Sequence, residues 1–167
     1  MNFSETIQTR QSVRAYRPRE VEEEKLQAIL QAVRTAPTAG NFQAYEIYVA
    51  RKRETIEALT GATFEQKFLA QAPLALVFCA NSARCEYQGP EYYALQDTVI
   101  ATTYAMLAAQ DQGLVTCWIA AFLPEKVSQA VGLPAGHKPV AILSVAYPAE
   151  VPPRTPRRAL SEFVHEL

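Results

Sequence analysis

Two groups of arginines lie near opposite ends of the 167-residue sequence. The first group has a serine at its centre and comprises Arg10, Ser12 and Arg14, and the second comprises Arg154, Arg157 and Arg158. Guanidinium groups and a hydroxyl suit phosphate oxygens, because arginine offers several N–H donors in one plane and a permanent charge. One phosphate held by both groups would bring the two ends of the chain together. The charge pattern alone also fits arginines on a solvated surface.

Two further stretches carry groups that a polar aromatic ligand could use. The segment "PTAGNFQ" offers the Thr38 hydroxyl and the side-chain amides of Asn41 and Gln43. The end of the run "CWIAAF" offers the backbone amides of Ala120 and Ala121. Taken singly, both stretches also fit an ordinary loop and an ordinary strand end.

The composition of the chain argues against several classes of function. The 16 basic and 17 acidic residues nearly balance, so no overall charge favours nucleic acid or a membrane surface. No segment reaches the apolar length of a membrane span, and the N-terminus lacks a leader pattern, so we expect a cytoplasmic protein. The three cysteines form no CxxC pair and the chain has two histidines, so neither a metal site nor a disulfide framework is expected.

Familiar catalytic motifs are missing as well. The chain has no GxGxxG or GxxxxGK[ST] phosphate loop and no GxSxG nucleophile motif. We therefore expect no catalytic side chain acting as a nucleophile. Cys79 and Cys117 lie in apolar runs and are predicted to be buried, whereas Cys85 is predicted to be exposed and receives no role.

The helices and strands that must position these groups are predicted from the spacing of apolar residues and from the positions of glycine and proline. After a short first helix, helices are predicted over 21–35, over 51–60 with Gly61 as its end, over 89–113 and over 123–133, with a further helical turn in "FEQKFLAQA". Strands are predicted over 45–50, 73–80, 114–122 and 138–148. This order indicates one α+β domain over residues 1–167, a three-layer sandwich of helices against a mixed sheet.

Ordered motifs over nearly the whole chain resemble the nitroreductase family of flavin mononucleotide (FMN) proteins. They are "TRQSVRAYRP" with "PTAGNFQ", then "GLVTCWIAAF", then "VGLPAGHKPVAILSVAYPAE", and finally "PRRALSEFVH". The resemblance implies a nitroreductase-like sandwich with a mostly antiparallel sheet. It also implies an intertwined homodimer with FMN at the subunit interface and a tail, residues 151–167, that crosses the partner.

The resemblance also implies a set of cofactor-binding residues. Arg10 and Ser12, joined by Arg157 and Arg158, would bind the FMN phosphate and ribityl side, and Arg14 would lie near N1 and O2 of the ring. The FMN of the other subunit would be lined by Pro37, Thr38, Ala39 and Asn41. Ala120 and Ala121 would lie near N5 of the ring. Gln66 or Lys67 would lie at its pyrimidine edge. Gln11 and Ile119 complete the expected set.

The implied activity is a ping-pong reaction. NADH or NADPH delivers hydride to FMN, and a small electron-poor acceptor such as a nitroaromatic or a quinone then takes it. An alternative of another class is an FMN-binding module that sequesters or senses the cofactor with little turnover. A third reading keeps the fold but fragments flavin or removes halogen from aromatic substrates. The two alanines expected near N5 do not exclude the binding module. The lid residues needed for the specialised reactions are not evident in this sequence, which favours the other two readings.

Overall fold

The computed structural model describes residues 2–167, which form five α-helices and four β-strands. The helices are α1 (Phe3–Thr9), α2 (Glu23–Arg34), α3 (Arg53–Ala62), α4 (Pro90–Asp111) and α5 (Pro124–Val131). The strands are β1 (Tyr45–Ala50), β2 (Leu74–Asn81), β3 (Val115–Ile119) and β4 (His137–Ala146). Every predicted helix and strand is present. The predicted turn in "FEQKFLAQA" is a 3₁₀ helix, Lys67–Gln71.

The four strands form one antiparallel sheet in the order β1-β2-β4-β3. The extended segment after α1 lies beside the edge strand β3 and adds one parallel bridge, between Ser12 and Thr116. This segment contains the first arginine group, so the sheet edge is what places those arginines.

Both faces of the sheet are covered by helices. Alternate residues of a strand point to opposite faces, and β2 uses this fully. Leu74, Leu76 and Phe78 pack towards α2 and α4, whereas Val77 and Cys79 pack with residues of α3 and α5. All five are at most 1% exposed, so β2 is apolar on both sides as a central strand must be. The α+β three-layer sandwich is thereby confirmed.

Helix α4 is the central helix of one layer. Its 22 residues span roughly 33 Å. Small side chains let it lie close to the sheet, and four of them are fully buried: Ala94, Ala101, Ala105 and Ala109. Its opposite side leaves large apolar side chains in solvent, namely Tyr92, Leu95, Val99 and Tyr104. The helix is therefore apolar around much of its circumference.

Two local predictions were wrong. Cys79 and Cys117 are buried as expected, but Cys85 is only 8% exposed, because the turn Ser82–Arg84 directs it into a small cluster with Ala44 and Ala94. Helix α3 does not end at Gly61 and continues to Ala62. Gly61 faces open space and keeps a helical conformation there, so nothing forces the helix to stop.

No helix among residues 2–167 is both long and apolar enough to cross a membrane. The same residues contain no group of three or more His, Cys, Asp or Glu side chains arranged to hold a metal ion.

An ionic cluster joins the start of α2 to the end of β4. The Tyr147 hydroxyl donates to Glu22 Oε2 at 2.6 Å, and Arg19 Nη2 donates to Glu22 Oε1 at 2.6 Å. The Arg19 guanidinium lies 3.9 Å from the centre of the Tyr147 ring. These contacts lower the pKa of Glu22 to about 2, chiefly through the Tyr147 hydrogen bond.

The low pKa of Glu22 predicts how the free energy of unfolding depends on pH. A carboxyl whose folded pKa is depressed stabilises the fold above its unfolded pKa, and that contribution fades as pH falls from about 4.5 towards about 2. Tyr147→Phe removes the largest cause, so it should lower the urea midpoint at pH 7 more than at pH 3. The effect should be small, because Glu22 is partly exposed. Tyr104→Phe is the control, and an equal loss for Tyr147→Phe at both pH values would contradict the assignment.

Candidate functional site

A cavity of about 820 Å³ lies between the end of α1, the extended segment that follows it and the C-terminal tail. Its lining includes Gln11 and Ser12, the prolines Pro152 and Pro153, and four arginines, Arg10, Arg14, Arg154 and Arg157. Among residues 2–167, no acidic side chain lines it. The two arginine groups that are far apart in the sequence therefore meet at one cavity, as the phosphate hypothesis requires.

Arg10 is the most enclosed of these arginines. Its Nη1 lies 3.9 Å from the sulfur of Met106, and it makes no ion pair within residues 2–167. Burial, and then the nearby charge of Arg157, lower the pKa of Arg10. Two guanidinium groups that approach each other without a carboxylate are stabilised by a bound anion. The arrangement is suited to a phosphate.

Arg14 connects this cavity to the 3₁₀ helix Lys67–Gln71. Its guanidinium lies 5.7 Å from the centre of the Phe68 ring, within range of a cation–π contact. Its backbone N–H donates to Glu150 Oε1 at 2.8 Å, which ties it to the start of the tail. Arg14 therefore places a positive charge between the arginine-lined cavity and the Phe68 ring.

A buried hydroxyl pair holds the extended segment against the sheet. The Tyr16 hydroxyl donates to the Val13 carbonyl at 2.7 Å and lies 2.6 Å from Ser144 Oγ. Ser144 Oγ also accepts the backbone N–H of Cys117 at 3.0 Å. Burial raises the pKa of Tyr16 well above its ordinary range, so the hydroxyl stays neutral and able to donate. The backbone between Arg10 and Tyr16 is fixed by this pair and by the bridge from Ser12 to Thr116.

The residues predicted to meet the ring edges lie on two adjacent segments. The N–H of Phe64 donates to the Ala121 carbonyl at 3.2 Å, which places residues 64–67 beside residues 120–121. Ala120, Ala121 and Lys67 are exposed, and Gln66 is half-buried. Ile119 is 2% exposed and its side chain belongs to the core, so only its backbone could face a ligand.

The loop with Pro37, Thr38, Ala39 and Asn41 does not line the arginine-lined cavity of its own chain. It packs instead against the N-terminal half of α4, where Asp97 accepts the N–H of Ala39 at 2.9 Å. Met106, the neighbour of Arg10, lies nine residues further along α4, roughly 14 Å of helix. Within one chain, the structure keeps this part of the predicted site apart from the rest.

Arg158, which was predicted to join the phosphate site, lies elsewhere in the tail. Arg158 does not line the cavity, and its guanidinium lies 5.2 Å from the centre of the Phe163 ring. Arg154, which belongs to the second arginine group but not to the cofactor-binding set implied by the resemblance, does line it. A role for Arg158 at a phosphate stays a prediction.

Asp97 is the polar residue of this region that sequence reasoning missed. Its signal in the sequence is a single acidic residue in the apolar helical run "ALQDTVIATTYA". Such a residue is ordinarily placed on the solvent side of a helix, whereas Asp97 is 1% exposed.

Comparison with known proteins shows the family to which the chain belongs. Residues 7–80 and 60–147 match the model of the Nitroreductase family. A relative from Archaeoglobus fulgidus, whose name couples NADH dehydrogenase with NAD(P)H nitroreductase, is 31% identical over 148 residues, covering 86% of this chain and 84% of that protein.

Two solved structures resemble the whole chain. A nitroreductase family protein from Clostridium difficile 630 is 33% identical with a TM-score of 0.88, covering 99% of this chain and 98% of that one. An FMN-dependent nitroreductase from Clostridium difficile R20291 is 25% identical with a TM-score of 0.85, covering 98% of each chain.

The buried hydroxyl pair leads to a stability prediction. Tyr16→Phe leaves the Val13 carbonyl without its donor and removes a partner of Ser144, so we expect a loss of about 1–3 kcal/mol in the free energy of unfolding. Urea unfolding followed by circular dichroism measures it. Tyr92→Phe, at a ring that is 63% exposed, is the matched control and should change little. Equal stability of Tyr16→Phe and the wild type would show that the pair does not hold the segment.

Proposed function

Because this chain belongs to the nitroreductase family, we propose that it is an FMN-dependent oxidoreductase. It takes hydride from NADH or NADPH and passes it through FMN to a small electron-poor acceptor such as a nitroaromatic or a quinone. The names of its relatives support this proposal, since they include an FMN-dependent nitroreductase and an NAD(P)H nitroreductase. The observation that carries it is the cavity where four arginines meet with no acidic side chain of the described residues in its lining.

The phosphate of FMN fits the donors of this cavity. Arg10 and Arg157 are close enough for one charge to lower the pKa of the other, and a phosphate dianion between them would neutralise both. Ser12 adds a hydroxyl donor on the same wall. We assign the phosphate to these three residues, with Arg158 as the further tail arginine predicted for it.

The other predicted residues would orient the ring. When bound, FMN supplies the hydride-accepting and hydride-donating chemistry, and the protein supplies position and electrostatics. Arg14 keeps a positive charge between the cavity and the Phe68 ring, where it would favour negative charge at the edge of the flavin ring. Ala120 and Ala121 would present backbone amides to the same ring, with Gln66 or Lys67 at its pyrimidine side.

We propose further that the chain is a homodimer and that its partner completes the site. The loop with Thr38, Ala39 and Asn41 cannot line the cavity of its own chain, so the corresponding loop of a second copy would supply these contacts. Exposed apolar side chains that such a partner could cover occur on three elements, namely Phe3 and Ile7 of α1, Leu95 and Val99 of α4, and Val151, Leu160, Phe163 and Val164 of the tail. The tail, residues 151–167, would cross the partner.

The activity is tested on the purified protein with FMN. We expect a yellow complex whose colour bleaches when NADH or NADPH is added without air and returns when a quinone or nitroaromatic is supplied. Colour without bleaching would favour the FMN-binding module, and protein that does not bind FMN would overturn the proposal.

The phosphate assignment is tested in the same titration. Arg10→Ala combined with Arg157→Ala should raise the FMN dissociation constant by about tenfold or more, because charge-assisted hydrogen bonds are lost. Lys138→Ala removes one exposed positive charge from β4 and should leave the dissociation constant unchanged.

The proposed homodimer is tested by introducing one charged residue on the exposed face of α4. Val99 is 39% exposed, and Val99→Glu would place a carboxylate in the proposed interface. We expect light scattering to report a folded monomer with weakened FMN binding. Gln129→Glu, on the exposed side of α5, is the control for added charge. A wild-type monomer that binds FMN would contradict the shared site.

A further inference from the structure

Asp97 is a buried acid on α4 with an unusual pair of partners. Its side chain is 1% exposed, and it makes no ion pair within residues 2–167. Oδ1 accepts the backbone N–H of Ala39 at 2.9 Å, and Oδ2 accepts that of Ala44 at 3.1 Å. A buried carboxylate is costly unless hydrogen bonds compensate it. Within the described part of the chain, both hydrogen bonds to Asp97 come from one loop.

The loop between those two points contains three residues with positive φ, namely Gly40, Asn41 and Gln43, at 53°, 58° and 51°. Glycine and asparagine adopt such values readily, whereas Gln43 does so at a cost. The loop also lies outside the sheet ladder, so strand pairing does not hold residues 39–43. A bond from the Gln43 N–H to Thr38 Oγ1 at 3.2 Å closes the loop locally. The two hydrogen bonds to Asp97 fix both of its ends to α4.

A second charge holds the loop from its carbonyl side. Arg84 Nε lies 3.1 Å from the Gln43 carbonyl and 3.4 Å from the Phe42 carbonyl. The loop therefore has a carboxylate at its N–H groups and a guanidinium at its carbonyl groups. Arg84 is exposed and Asp97 is buried, so water can replace the first contact far more readily than the second.

We propose that Asp97 is a positioning residue of the FMN site. Its carboxylate holds residues 39–44 in the one conformation in which Thr38, Ala39 and Asn41 meet the cofactor bound mainly by the other subunit. Asp97 itself does not touch FMN and acts through the loop backbone. This inference rests on the proposed function, and it explains why an apolar helix keeps a single acid in its interior.

The test is Asp97→Asn in the full-length protein, titrated with FMN. Asparagine keeps the size of the side chain but offers one acceptor oxygen and turns an N–H₂ group towards the second loop N–H. We expect the FMN dissociation constant to rise about tenfold or more and the visible circular dichroism of bound FMN to change. Titration at a temperature where each apoprotein is fully folded separates affinity from stability.

Thr102→Ala is the matched control. Thr102 is fully buried on the same helix, and its hydroxyl donates to the Thr98 carbonyl at 2.7 Å, inside α4. This variant should lower the urea midpoint and leave FMN affinity and the flavin spectrum unchanged. If both variants weaken FMN in proportion to their loss of stability, or if Asp97→Asn binds FMN as the wild type does, the positioning role is wrong.

A second variant keeps the inference testable if Asp97→Asn does not fold. Gly40→Ala perturbs the same loop from its outer side, because the added methyl would come 2.6 Å from the Phe42 ring and 2.9 Å from the Tyr87 hydroxyl. It should weaken FMN in the same way, and unchanged binding would overturn the inference. Failure of the wild type to bind FMN contradicts the proposed function as well, whereas wild-type binding with unaffected variants contradicts this inference alone.

Discussion

The hydrogen bonds of Tyr16 with Val13 and Ser144 are the constraint on which the arginine-lined cavity depends. Arg10, Ser12 and Arg14 lie on a segment that is neither helix nor full strand, so ordinary backbone pairing holds it at few points. A hydroxyl pair buried between β3 and β4 fixes that segment to the sheet. The positions of the three charged and polar side chains are thus set by neutral hydroxyl groups in the core. Moving those hydroxyls would leave buried polar atoms without partners, which costs free energy.

Binding and folding are linked in this arrangement. Four arginines and, among the described residues, no acidic side chain line the cavity, and repulsion between Arg10 and Arg157 disfavours the empty form. An anion that binds the folded chain and not the unfolded one adds to stability in proportion to its occupancy. Part of the stability of the tail is therefore expected to come from a bound anion, because Arg157 reaches the cavity from a segment in which every residue except Pro152 is exposed.

Sequence patterns predicted the elements well where apolar periodicity was strong. The strand over 45–50 was predicted with its observed bounds, and "PLALVFCA" was predicted to be a central buried strand because it is apolar at every position. Positions that depend on local turns were harder. Cys85 was expected in solvent, yet a single 3₁₀ turn buries it, and no periodic pattern signals that turn. Asp97 went unnoticed since its partners are backbone N–H groups, which leave no trace in residue types.

Helix α4 fixes the spacing between two contacts in the molecule. Asp97 holds a loop near one end, and Met106 contacts Arg10 near the other, while the alanines between them face the sheet. One residue inserted between positions 97 and 106 would rotate everything beyond it by about 100° and lengthen the helix by about 1.5 Å. Both the contact with Arg10 and the buried alanine face would be lost together. The number of residues between Asp97 and Met106 is therefore constrained by contacts at both of its ends.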